Sequence, residues 1–172
     1  MNQAVPLKRI AVGVVVERRK STSRWVDFVW QPIGVLPGQP DAAPWTVLST
    51  NSDRTTYYAG AAEIALYRTE TAQYRDNLAS GVPSLWVALR PTGSDPAFEI
   101  LAVTADPAEG ESFTQTGDDL VEAVAMPVAV RDVLEAFVAE HHVERPFGKR
   151  LRDRANPDAL ARRPRISKDR NE

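Results

Sequence analysis

Strand periodicity governs most of this chain, and helical periodicity its later part. Ile10 to Val16 is rich in β-branched residues and apolar on both faces, which predicts a strand near the middle of a sheet. Val26, Phe28 and Trp30 then alternate with Trp25, Asp27 and Val29. A second strand therefore follows "KSTSR", and the two form a hairpin whose loop is Lys20 to Arg24. Pro32, with no N–H for a ladder, places the second strand at a sheet edge or near its own end. The proline-rich connection "PGQPDAAP" leads to a third strand, Trp45 to Ser49, and the "NSD" turn leads into "RTTYYAGAAEIALYR". There Tyr58, Ile64 and Leu66 share one parity while Tyr57, Glu63 and Tyr67 share the other. Gly60 permits a bulge, so the segment reads as one bent strand or two short ones.

Helical signals come later. Thr69 can cap a short helix with Tyr74 and Leu78 on its apolar side and Gly81 at its end. "SLWVALRP" and "AFEILAVTA" are two strands joined across "TGSD". Asp106 followed by Pro107 opens a helix over Pro107 to Phe113, and Leu120 to Ala125 is the last strand. Pro127 opens the longest helix, with Val130, Val133, Leu134, Phe137, Val138 and His141 on one face. Hairpins without βαβ alternation predict an α+β fold: a largely antiparallel sheet or partial barrel of about six to seven strands, covered by a C-terminal helix, with two short inserted helices. The domain is expected over residues 8–144, followed by a basic, flexible tail over residues 145–172.

Composition narrows the chemistry. The chain has 172 residues, 43% of them hydrophobic, which is enough for one domain with a real core. It has no cysteine, so disulfides, thiolate zinc sites and cysteine nucleophiles are excluded. The apolar run near the amino terminus is less than half the length that spans a bilayer and no cleavage signature follows it, so a cytoplasmic protein without a membrane partner is expected. The net charge of −2 conceals an asymmetry. From Arg145 onward ten Lys and Arg stand against four Asp and Glu, a net of +6, so the rest of the chain carries −8.

No catalytic motif emerges. G-x-S-x-G, G-x-G-x-x-G and P-loop patterns do not occur. His141 and His142 project about 100° apart on a helix, which argues against a shared metal. Asp118–Asp119 and Glu109/Glu111 read as solvated acidic loops. No catalytic residue, metal ligand or cofactor is assigned. Candidate ligand or partner residues fall into two groups. Arg18, Arg19, Arg24 and Trp25 surround the hairpin loop, where guanidinium groups and turn amides could hold an anion. His142, Arg145, Phe147, Lys149, Arg150 and Arg152 follow the last helix, with Phe147 as an apolar anchor for protein docking. The tail could also supply phosphate contacts to nucleic acid. The acidic body and the interleaved Asp153, Asp158 and Asp169 argue against that.

The stretches "VGVVVERR", "SRWVDFVWQPIGVLPG", "YYAGAAEIALYRTETAQYRDNL" and "EAFVAEHHVERPFGKRLRDRANP" together resemble an uncharacterised bacterial family. Its genes tend to lie beside those of molybdenum- or tungsten-dependent formate dehydrogenase, and some members are labelled molybdopterin-guanine dinucleotide biosynthesis protein A. The resemblance runs over residues 8–158. A guanylyltransferase of that name would carry a glycine-rich loop after its first strand; here "ERRKSTSRW" follows, with no glycine between Gly13 and Gly34. What the resemblance implies instead is a non-enzymatic accessory or adaptor role in maturing or assembling a molybdenum-dependent formate dehydrogenase, with a dehydrogenase subunit or its maturation chaperone as partner. Two alternatives stand beside it. One is a pterin- or nucleotide-binding enzyme or carrier of molybdenum cofactor metabolism, using Arg18, Arg19 and Arg24 on phosphate and Trp25 or Trp30 on the ring. The other is a regulatory protein that binds nucleic acid through its tail. The hairpin itself is expected to be structural first: tip exposed, tryptophans at least half in the core, Arg18 and Arg19 on opposite faces.

Overall fold

A computed structural model describes residues 4–144 except residue 116. The expected tail, with its candidates Arg145, Phe147, Lys149, Arg150 and Arg152, lies outside the described residues. The chain divides into two units, Met1–His142 and Val143–Glu172. Only Val143 and Glu144 of the second are described, and both are exposed.

The first unit is an α+β fold. Among the described residues it has seven strands, all paired antiparallel, in two sheets. The first sheet contains β1 (Lys8–Lys20), β2 (Phe28–Pro37), β3 (Thr46–Thr50) and β4 (Arg54–Leu66), in the order β2-β1-β4-β3. The second contains β5 (Ser84–Pro91), β6 (Phe98–Thr104) and β7 (Leu120–Ala125), in the order β6-β5-β7. β1 is central, which accounts for its two-sided apolar run, and β2 is an edge strand, as Pro32 requires. β2 lies beside β7 and β4 beside β6. Among the described residues no ladder joins them, so the two sheets face each other without closing a barrel.

The core fills the space between the sheets. Val12, Val14, Val16, Ile64 and Leu66 from the first meet Leu85, Val87, Leu89 and Val124 from the second, all buried. The helices α1 (Thr71–Ala79) and α3 (Val128–His141) add Tyr74, Val130, Leu134 and Phe137 to the same cluster, with Tyr74 edge-on to Phe137. Asp106 caps α2 (Pro107–Phe113) as its sequence predicts, accepting the Ala108 N–H at 2.8 Å. α1 begins two residues beyond the expected cap. Arg68–Glu70 forms a 3-10 turn, and the Thr69 hydroxyl donates to the Glu70 carboxylate (3.1 Å) instead of closing a helix end.

Two bulges decide which side chains face the core. Val14 pairs with Gly60 but Val15 with Tyr58, so Ala59 is the extra residue in β4; Gly60, at φ +141°, holds a conformation that favours glycine. On the other side Val15 pairs with Gly34 but Val16 with Pro32, so Ile33 is extra in β2. Below this level parity reverses in both neighbours. Tyr57 pairs with Val16, and Trp30 with Arg18, on the core side, while Tyr58 is buried on the opposite face over Gly13 and beside Pro40. The expectation that Tyr58 shares a face with Ile64 and Leu66 is corrected by the bulge at Ala59.

α1 is tied to the second sheet by a buried amide. Asn77 Nδ2 donates to the carbonyls of Ser84 (2.8 Å) and Ala105 (2.9 Å), and its Oδ1 accepts the Ser84 N–H (3.0 Å). The Tyr74 hydroxyl accepts the Tyr67 N–H at 3.1 Å. Burial pushes its pKa up to about 12, and Asp106, Glu70 and Glu109 add to the rise while the Tyr67 N–H opposes it.

α2 packs directly on β5. A Cβ at Gly110 would stand 2.3 Å from Trp86 Cγ and 2.7 Å from Trp86 Cβ, the base of the side chain rather than its mobile end. Gly110→Ala is therefore expected to destabilise the fold by about 1–3 kcal/mol, despite alanine's better helix propensity. Urea unfolding checks this; an unchanged or stabilised variant would show that α2 can ride up off Trp86.

Candidate functional site

The hairpin joining β1 and β2 is longer than its hydrophobic pattern predicts. The ladder stops at Lys20 opposite Phe28, and Ser21–Asp27 forms the tip, closed by the Ser21 N–H on the Asp27 carbonyl (2.9 Å). Inside it the Ser21 hydroxyl accepts the Ser23 N–H (3.0 Å), and the Ser23 hydroxyl accepts the Trp25 N–H (3.2 Å). Serine side chains thus capture the amides that a longer ladder would have used. Trp25 and Val26 consequently leave the strand, and Trp25 is 91% exposed. The expectation that both hairpin tryptophans lie at least half in the core holds only for Trp30.

Trp30 is the hub of an aromatic cluster. Its ring stacks on Tyr57 (5.8 Å between centroids) and touches Phe98 of β6 (5.7 Å) and Trp45 (6.0 Å, edge-on). Arg18, from the facing position on β1, lays its guanidinium over Phe28 (4.4 Å), Trp30 and Tyr57 (5.7 Å each). Arg19 occupies the opposite face and is exposed, as alternation demands. Arg24 is exposed on the tip. Arg18, Arg19, Arg24 and Trp25 therefore do not converge on one point.

An open groove of about 630 Å³ lies at this end of the fold. One wall is Val26, Phe28, Val29 and Trp30; the other comes from the ends of β5 and β6 and the start of β7, including Pro91, Ala97, Phe98 and Leu120. Among the described residues, its only charged lining side chains are Asp118 and Asp119. Asp119 is no solvated loop acid, contrary to the sequence reading. Its side chain is 5% exposed and takes a two-pronged contact from Arg90, Nε to Oδ1 at 3.1 Å and Nη2 to Oδ2 at 3.0 Å. That hydrogen bonding holds the Asp119 carboxyl below its ordinary range, against the opposing effect of burial, and raises Arg90 in turn. The stabilisation is complete above the carboxyl's ordinary value of 3.8 and is lost as pH falls toward the lower folded value. Asp119→Asn is thus expected to melt below the wild type at neutral pH, with the gap closing below about pH 4. A gap unchanged down to pH 2 would refute the pairing.

A family model described as protein of unknown function DUF3305 matches residues 11–151. The chain belongs to the DUF3305 family. No curated protein and no solved structure matches it. The DUF3305 match covers both groove walls and α3.

The remaining described candidate of this DUF3305 chain, His142, sits at the end of α3. A guanidinium can only donate, so His142 Nε2 accepts from Arg75 Nη1 (3.0 Å). The ring proton then sits on Nδ1 and is donated to Thr71 Oγ1 (3.0 Å). The Thr71 hydroxyl in turn donates to the Arg68 carbonyl (3.2 Å). His142 therefore fastens the end of α3 to the start of α1. Among the described residues no three His, Asp or Glu side chains gather as a metal-holding group, and no helix is long and apolar enough to cross a membrane. Sequence reasoning missed Phe98, Tyr57, Arg90 and Asp119, which enter the site only through pairing between distant segments. The one local signal was the aromatic density of "YY" and "AFE" at strand ends.

Proposed function

We propose that this DUF3305 protein is a non-enzymatic adaptor that seats a segment of a partner polypeptide in the groove between the β1–β2 hairpin and the β5–β6 hairpin. The observation that carries this reading is the groove itself: open, walled by aromatic and aliphatic side chains that begin one residue after the exposed Trp25, and, among the described residues, with no His, Lys or Arg in its lining. Such walls supply contact area rather than proton transfer or nucleophilic attack. Arg18 and Arg19 on opposite faces weigh against the pterin or nucleotide reading, which needs them on one phosphate. By the resemblance to the family encoded beside formate dehydrogenase, the partner is a subunit of a molybdenum-dependent formate dehydrogenase or its maturation chaperone, met in the cytoplasm.

Affinity purification of the tagged full chain from its native host is the test. A dehydrogenase subunit or its chaperone should co-purify with the wild type and be lost with Val29→Asp, which places a charge in the apolar wall. A deletion strain should lose formate dehydrogenase activity. Normal activity in that strain, with no such partner recovered, would sink the adaptor reading.

A further inference from the structure

We infer that the groove selects a partner segment carrying one carboxylate beside apolar side chains, and that Arg18 is the residue that binds the carboxylate. This rests on the adaptor reading and adds to it the chemistry of what is bound. Arg18 sits on the core side of β1, half-buried, against Phe28 and Trp30, two of the groove's own lining residues. Stacking occupies only the flat face of a guanidinium. Its N–H donors lie in the plane and project from the edge. Among the described residues those donors have no hydrogen bond or ion pair. Two acids at this end of the fold are held elsewhere. Glu17, the preceding residue, pairs with Arg54 on the opposite face (3.4 Å), and Asp119 is held by Arg90 on the far wall. Three rings thus surround the guanidinium, at 4.4 to 5.7 Å from their centroids, and leave its donors unspent; a side chain already packed in this way loses less freedom on binding an anion.

Charge complementarity sets the occupant. Arg18, Arg19, Lys20 and Arg24 outnumber Asp27 and leave the hairpin end net positive, whereas exposed Asp118 makes the opposite wall negative. An evenly acidic ligand would be repelled at the far wall, and a neutral one would leave Arg18 unused. A segment with Asp or Glu at its hairpin end and Leu- or Phe-type side chains along the groove satisfies both.

Selection of a random dodecamer peptide-display library on the full chain tests this. The enriched sequences should share one Asp or Glu next to apolar residues. A synthetic consensus peptide should change tryptophan fluorescence on binding, Trp30 lying under Arg18. Arg18→Gln, and separately amidation of the peptide's acid, should each weaken binding about 10- to 100-fold, as for a charge-assisted hydrogen bond. Arg18→Lys, which keeps the charge but loses the stacked fork, should fall between. Failure to enrich any peptide, enrichment of acid-free peptides, an Arg18→Gln variant that binds as the wild type does, or Arg18-dependent binding of guanosine monophosphate in place of peptide would each overturn the inference. The two readings fail separately. If Val29→Asp abolishes dehydrogenase co-purification while Arg18→Gln leaves both peptide and partner binding intact, the adaptor stands and the carboxylate anchor falls.

Discussion

Trp30→Ala is expected to lower the stability of the fold by about 3 kcal/mol in urea or thermal unfolding, the lower end for truncating a large core aromatic because part of the ring is accessible. The loss is more than buried area. Trp30 is the ring against which Tyr57, Phe98 and Trp45 are arranged, and Phe98 comes from the second sheet, so the truncation also removes a contact between sheets. The neighbouring arginines give the contrast. Arg19→Ala should change stability by under about 0.5 kcal/mol, since it is an exposed strand-end residue. Arg18→Ala should cost about 0.5–1 kcal/mol through its aromatic contacts. A Trp30→Ala variant as stable as the wild type would mean that the ring serves contact alone.

The second large effect is expected at Asn77. Replacement by leucine keeps the heavy-atom count and branching but strands the Ser84 N–H and the Ser84 and Ala105 carbonyls, all bonded to the amide. Each buried group left without a partner costs about 1–3 kcal/mol, partly recovered where water can enter, so Asn77→Leu should destabilise by about 3 kcal/mol. Asp76→Ala, one position away on the exposed side of α1, should be nearly neutral. Equal unfolding midpoints for Asn77→Leu and wild type would show that β5 and β6 hold their ends without α1.

These positions differ in how far they were legible. Elements whose signals are local could be read closely: Asp106 with Pro107 marked α2, Pro127 marked the start of α3, and the two-sided apolar run marked β1 as central. Trp30 could be placed inward from alternation with Phe28. Trp25 could not, because its fate depends on serine hydroxyls competing with the ladder, and alternation does not register that competition. Asn77, read from its neighbours alone, is only a polar residue on a short helix. The spacing of three among Thr71, Tyr74 and Asn77, all buried, was the available clue. The division into two sheets was out of reach, since β1 pairs with β4 across 35 to 58 residues, from Arg19↔Arg54 to Lys8↔Leu66, and nothing local announces it. The groove was hidden for the same reason: its walls come from three separate stretches, and Arg90 meets Asp119 from 29 residues away.

The two bulges stand at one level, Ala59 in β4 and Ile33 in β2, on either side of Val15. Extra residues bend and twist the strand that carries them. Aligned across three strands, they form a crease running athwart the sheet. Above the crease lie Val12, Val14, Ile64 and Leu66, which belong to the shared interior; below it lie Arg18, Phe28, Trp30 and Tyr57, which shape the binding end. Removing either extra residue, Ile33 or Ala59, would therefore be a parity error: Trp30 or Tyr57 would turn to the outer face, away from Arg18, while the level of Val12 and Val14 stayed in register.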